Sequence, residues 1–335
     1  MSSPDVIVVG AGVLGLCVAA ELSARGHAVT VLDPGGPNAS SVAAGMLAPA
    51  FESVLEDADQ AHADLLRRAR DLWPAFARGH GLGLDRCGAE WRGADAEAVA
   101  ARLAALGFDV ERTDRCVSTA DDWRIGVAGA LERLRHAPGV TVQAITATSL
   151  GRAANGWRVE TSHGRPWTAP VVVLATGAAT PVEGLPKSAR DLVASVEPIR
   201  GQVTPVACVP PSRIVRSSQG YAAPVDDGVV FGATMEPGRR DVAPDADTAA
   251  RQVALGTALT GLSGDAGEPR VGIRGATADG LPMAGAVGGP GLFLALAPRR
   301  NGWLLGPLVG RTVADAIEGR APGADARALD PLRFA

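Results

Sequence analysis

The chain has 335 residues, 47% hydrophobic and 20% charged, with a formal net charge of −4. This is the composition of a globular protein with a sizeable core, and its mild acidity gives no electrostatic reason to expect a nucleic-acid partner. Lys187 is the only lysine, which argues against Schiff-base chemistry, and the cysteines (Cys17, Cys87, Cys116, Cys208) and histidines lie dispersed, so no metal site is expected. Reduced thiols in a cytoplasmic protein are the simplest reading.

In chain order, Val6-Ile-Val-Val9 reads as a buried parallel strand. The apolar run it opens continues to Ala20, but an acid and no base precedes it and Glu21 ends it short of a membrane span. Neither a signal peptide nor membrane association is therefore expected. After a glycine turn, residues 13–25 read as a helix with Gly26 as its cap, and 28–32 as a second strand ending at Asp33, completing a βαβ unit. Residues 56–77 (Trp73 and Phe76 on one face), 94–106 and 122–135 have helical spacing. Val171-Val-Val-Leu174 is another buried strand, running into Ala175-Thr176-Gly177. From 199 to 235 the pattern alternates and breaks at Gly and Pro, as an antiparallel sheet does, with Val229-Val-Phe231 its clearest strand. A strand at 292–296 precedes a C-terminal helix of about a dozen residues starting near Leu304.

Gly10-Ala-Gly12-Val13-Leu14-Gly15 fits GxGxxG between strand and helix. Gly10 permits the turn, Gly12 lets the backbone approach a pyrophosphate, Gly15 lets helix and strand pack closely, and Asp33 is placed for ribose hydroxyls. The unit does not distinguish NAD from FAD. The next segment, Ala39-Ser40-Ser-Val-Ala-Ala44-Gly45-Met46-Leu-Ala-Pro49, is small and non-periodic, a chain that can lie against a flat ring with its backbone N–H groups exposed.

That segment resembles the Ser-x-x-Ala-Ala-Gly-Met-Leu stretch of the D-amino-acid oxidase superfamily, most closely the bacterial glycine oxidases of thiamine biosynthesis. The resemblance extends along nearly the whole chain. Ala175-Thr-Gly177 is similar to the second FAD motif, and Ile199-Arg-Gly-Gln202 to a Val-Arg-Gly-Gln turn. Tyr221-x-x-Pro224, Gly232-Ala-Thr-Met235, Gly272-Ile-Arg274-x-x-Thr-x-Asp-Gly-Leu-Pro282 and Arg299-Arg300-Asn301-Gly302 match later motifs.

The resemblance implies an α/β fold: a discontinuous Rossmann-type FAD-binding domain (1–78, 122–197, 271–335) with an inserted α+β substrate domain (79–121, 198–270) built on an antiparallel sheet. It implies non-covalent FAD, touched by Gly10, Gly12, Val13, Leu14, Gly15, Asp33 and Pro34, then by Ser40, Ala44, Gly45 and Met46. Ala147, Ala175, Thr176, Gly177 and the run Arg300, Asn301, Gly302, Trp303, Leu304 complete that set. The implied reaction oxidises glycine, a small amine or a D-amino acid: hydride passes from the α-carbon to flavin N5, water hydrolyses the imine, and dioxygen reoxidises the flavin to give hydrogen peroxide. Arg274 and Tyr221 would bind the substrate carboxylate, Arg300 would lie near substrate and flavin, and Met235 would line the pocket. The usual Gly-His ahead of x-Arg-Asn-Gly is Ala297-Pro298 here, removing a histidine and a backbone N–H. Two alternatives remain: a dehydrogenase of the same fold passing electrons to a quinone or protein, and a non-catalytic flavoprotein. Assembly into a homo-oligomer is left open.

Overall fold

The computed structural model describes residues 4–113, 115–179 and 182–334. The chain divides into two compact units, 1–38 with 131–199 and 274–335, and 39–130 with 200–273. Residues 39–78 and 122–130, expected with the first part, thus cluster in the second.

The first unit is built on a six-stranded sheet in the order Met283–Ala286, Leu292–Leu296, Val171–Leu174, Val6–Val9, Val29–Asp33, Val140–Ala144. All neighbours pair in parallel except the outermost Met283–Ala286. Strands covered on both faces must be apolar, which is why the central Val6–Val9, Val171–Leu174 and Leu292–Leu296 read as unbroken apolar runs while the edge strand Val140–Ala144 does not. Ile7, Val9, Val172 and Leu174 pack with Leu150, Trp157 and Val159 of a three-stranded antiparallel layer. The helices Val13–Ala24 and Gly302–Ile317 pack on each other. Their close approach has a local cause: a Cβ at Gly306 would lie 2.8 Å from Cys17 Sγ, and one at Gly310 2.8 Å from the Cys17 carbonyl oxygen. Gly302 faces Val13 in the same way, so the helices run parallel with their N-termini together.

The second unit is built on a ten-stranded sheet whose main path runs Glu236–Pro237, Glu197–Ala207, Gly228–Gly232, Gly220–Val225, Ile214–Ser217, Ala89–Arg92, Cys116–Thr119, Glu111–Thr113. Helix Ala246–Thr260 covers one face, where Val253 and Leu259 pack with Val206, Val215 and Phe231. Against the other face, Phe51, Ala63, Val99 and Leu103 bury Trp91, Val117 and Ile214.

Two expected helices begin elsewhere. The helix expected at 56–77 is Gln60–His80, because the Asp59 side chain accepts the His62 N–H at 2.8 Å while Asp57, at a φ of 48°, breaks the chain before it. A separate helix, Pro49–Leu55, precedes it. In the stretch 122–135, Trp123–Ile125 is a strand paired with Met46–Leu47 and Leu84–Asp85, and the helix is Val127–Arg135. Trp-x-Ile suits a half-buried strand better than a first helical turn.

Candidate cofactor and substrate site

In the first unit the glycine loop is shaped by what a side chain would strike. Gly10 has a φ of 107°, and a Cβ there would run into the Ala175 carbonyl. A Cβ at Gly15 would strike the Gly10 carbonyl. Gly12 is the N-cap of Val13–Ala24 and supplies no side-chain cap. Asp33 ties the loop down: Oδ2 accepts the Ala11 N–H at 2.6 Å and Oδ1 the Gly35 N–H at 2.8 Å. Each oxygen retains acceptor capacity for a ribose hydroxyl. Pro34 follows, exposed. Ala175 donates its N–H to the Val9 carbonyl at 2.8 Å, which sets Ala175-Thr176-Gly177 beside the loop. Ile145 donates to the Asp33 carbonyl at 3.1 Å, and half-buried Ala147 opens the next strand.

The second helix end lies alongside. Asn301 is the buried N-cap of Gly302–Ile317, and its carbonyl accepts the Leu305 N–H at 2.8 Å. Trp303 and Leu304 are buried in the first turn. Two parallel helices with adjoining N-termini aim two positive dipole ends at one place, which suits a pyrophosphate. These residues fit a dinucleotide cofactor: a cradle that a Cβ would fill, anion-binding helix ends and an acid for the ribose.

The same unit joins the two candidate arginine segments. Gly275 accepts the Arg299 N–H at 2.9 Å on its carbonyl, linking the strand that carries half-buried Arg274 to the turn that carries half-buried Arg300. Ala297 has a φ of 60° and Arg299 one of 50°. The family's preference for glycine at the Ala297 position therefore has a backbone cause.

The second unit holds the small-residue segment, Tyr221 and Met235. Ser40 lies in the helical turn Ala39–Val42 and Ala44 is buried. Gly45 has a φ of 73° and meets the Ile125 backbone so closely that a Cβ would strike it; Met46 pairs with Arg124. Ala44, Arg124, Val127, Val225, Val230 and Arg270 are among the residues lining a cavity of about 540 Å³ within this unit. Tyr221 is half-buried on Gly220–Val225, opposite Gly232.

The segment following half-buried Met235 is strapped by a polar network. Thr234 Oγ1 accepts the Gln202 N–H at 2.9 Å and donates to Glu236 at 2.8 Å. Arg200 donates to Glu236 at 2.6 Å and to the Ala243 carbonyl at 2.6 Å, while Gln202 exchanges two 2.8 Å bonds with the Asp245 backbone. The Ile199-Arg-Gly-Gln202 motif, read from the sequence as a turn, thus lies inside the strand Glu197–Ala207 and works as a strap.

Three charged residues of this unit carry no sequence signal. Asp122, fully buried, accepts the N–H groups of Ala50 and Phe51 at 2.8 and 3.2 Å, and burial pushes its carboxyl up to about 7. Glu52 and Arg216 form a buried pair at 2.7 Å. In sequence each looks like an ordinary solvated charge, because its partners lie far along the chain.

A family model described as FAD dependent oxidoreductase (DAO) matches residues 5–316. The glycine oxidase of Geobacillus kaustophilus is 29% identical over 94% of this chain and 93% of its own length. A crystal structure of glycine oxidase from the same organism superposes with a TM-score of 0.85 at 26% identity, covering 98% of each chain. The tRNA 5-methylaminomethyl-2-thiouridine biosynthesis bifunctional protein MnmC of Thiobacillus denitrificans is 29% identical over 98% of this chain, which spans 59% of that relative's length.

Proposed function

As a member of the DAO family of FAD-dependent oxidoreductases, the chain is, we propose, an oxidase of glycine or another small amine or D-amino acid. When bound, FAD would supply the chemistry of accepting a hydride from the substrate's α-carbon and of passing two electrons to dioxygen, with hydrogen peroxide as the product. The chain's own residues orient and exclude. Gly10, Gly12, Gly15, Asp33 and Asn301–Leu304 would hold the cofactor's phosphates and ribose, and Ser40–Met46 would offer backbone N–H groups to a flavin ring. Arg274 offers a planar fork that grips the substrate carboxylate by two parallel charge-assisted hydrogen bonds, fixing the α-carbon. By the family resemblance the Tyr221 hydroxyl would donate to a substrate carboxylate, Arg300 would add positive charge, and Met235 would supply an apolar wall. Once the substrate amine is neutral, loss of the α-hydrogen needs no protein base.

The observation that carries this reading is the setting of Tyr221. A Cβ on Gly232 would lie 2.8 Å from Val203 Cγ1 and 2.9 Å from the Tyr221 hydroxyl, so the only tyrosine of the chain rests, beside Val203, on ground that a side chain would fill. The test is an anaerobic titration of the yellow protein with glycine, sarcosine, D-alanine and D-proline in turn, following flavin absorbance. Bleaching with one of them is the expected result. A spectrum that stays oxidised with all of them overturns the proposal and favours the non-catalytic flavoprotein. Consumption of dioxygen during turnover separates an oxidase from a dehydrogenase.

The likeness to MnmC favours a second reading, in which the amine is carried on a tRNA nucleoside. A net charge of −4 offers little counterion release for unaided RNA binding. Under this reading tRNA bleaches the flavin where the free amino acids do not.

A further inference from the structure

Val203, Gly232, Tyr221, Arg216, Trp91 and Val117 are successive register partners across the second unit's sheet. Directly opposed residues put their side chains on one face with Cβ atoms about 5 Å apart. The Tyr221 ring therefore has two directions in which to lean. Toward Gly232 there is no side chain, and the phenol shares that space with Val203: a Cβ there would lie 2.8 Å from Val203 Cγ1, 2.9 Å from Tyr221 Oη and 3.0 Å from Cζ. On the other side its register partner is Arg216, whose guanidinium is itself pinned.

Arg216 is 4% exposed and its Nη2 donates to Glu52 Oε1 at 2.7 Å. Glu52, 5% exposed, rides on the helix Pro49–Leu55, whose first-turn N–H groups are held by Asp122. The anchor thus reaches from the 119–123 turn through that helix to the strand beside Tyr221. Among the described residues, Nε and Nη1 of Arg216 are buried without a hydrogen-bond partner. A buried guanidinium satisfied on one side is costly, and a neutral, well-packed pair of similar volume usually costs no more than the ion pair it replaces. A residue kept against that gradient is expected where function uses it.

We propose that Arg216 is a positioning residue of the substrate site: held by Glu52, it closes one side of Tyr221 and keeps the phenol over Gly232, where the hydroxyl meets the substrate carboxylate. The inference rests on reading Tyr221 as the carboxylate-binding hydroxyl.

Because Tyr221 is the only tyrosine, ring-labelled tyrosine in the FAD-loaded enzyme gives a single set of NMR signals that reports this residue alone. The informative variant is E52Q/R216M, which removes both charges so that neither is left buried by itself. The expected result has three parts: displaced or broadened Tyr221 signals without substrate, a Tm no lower than that of the parent, and a KM raised about tenfold with kcat little changed. R216K keeps the charge and the pairing, so its signals and KM should lie between the two. Unmoved Tyr221 signals overturn the proposal, as do moved signals with an unchanged KM. Collapse of E52Q/R216M into an unfolded chain also overturns it, since that is what a purely structural pair predicts. If no amine reduces the parent flavin, the proposed activity fails, while the ring signals still decide whether Arg216 sets Tyr221.

Discussion

Ala297 sits at a φ of 60°, a conformation that a Cβ makes costly, in a segment that ends at the N-cap Asn301 of the C-terminal helix. Relief of that strain should outweigh the extra chain entropy of glycine, so Ala297→Gly is expected to stabilise the protein by about 1 kcal/mol. Thermal unfolding checks this; an unchanged or lower Tm means that the surrounding contacts already absorb the strain. At this scale the sequence was informative wherever a residue's role is local. The spacing of Gly10, Gly12 and Gly15 announces the loop because Gly15 packs on Gly10 one turn back, although the carbonyl that bars a side chain at Gly10 comes from Ala175 and Asp33 reaches back to Ala11. Glu52, Asp122 and Arg216 were illegible for the opposite reason, since a buried charge is recognised only by partners that the fold brings from elsewhere.

Among the elements, the pairing of Val13–Ala24 with Gly302–Ile317 has the most direct consequence for the cofactor site. Gly302, Gly306 and Gly310 recur every fourth residue, placing a groove along one face of the C-terminal helix into which Val13 and Cys17 settle. Gly310→Ala puts a methyl 2.8 Å from the Cys17 carbonyl. Backbone cannot yield as a flexible side chain can, so a loss of about 1–3 kcal/mol is expected, read as a lowered Tm together with weaker FAD retention on dilution. An unaltered Tm would show that the helices have slack. Element existence was legible for the central parallel strands, whose apolar runs admit few other readings, but not for the edge strand Val140–Ala144, whose sequence VTVQA is half-exposed and forms no such run. The boundaries at 56–60 and 122–127 were not, because caps and strand pairing decided them: Asp59 caps Gln60–His80, and Trp123–Ile125 finds Met46–Leu47. The helix Ala246–Thr260 gave no usable pattern because its buried contact is concentrated at Gly256, where Phe231 packs against bare backbone.

For the whole molecule, the buried Asp122 makes a prediction about pH. Its carboxyl is pushed up to about 7 by burial, against an ordinary value near 4 in the unfolded chain. Between those values the folded protein holds a proton that the unfolded chain has released. The stabilisation present at about pH 4 is therefore lost as pH rises toward 7, and the contribution is flat above that. Facing Asp122 are the Ala50 and Phe51 N–H groups, Arg216 and Glu52. Asp122→Asn stays neutral and keeps one acceptor, so its Tm should vary less than the parent's between about pH 5 and 7. Identical pH profiles would assign the slope to other groups. The division into two units was only partly legible, since the residues of each arrive from separate stretches and a linear pattern does not show which stretches cluster.

The order of strands in the first unit also bears on how the chain emerges from the ribosome. The strand Leu292–Leu296 completes the parallel sheet next to Val171–Leu174, and Gly302–Ile317 then lies on Val13–Ala24. The glycine loop is synthesised well before the second helix end that flanks it, with the whole second unit in between. A nascent chain thus carries half a phosphate cradle until Asn301–Leu304 emerges, and the cofactor can act as a late fastener that rewards only the completed first unit.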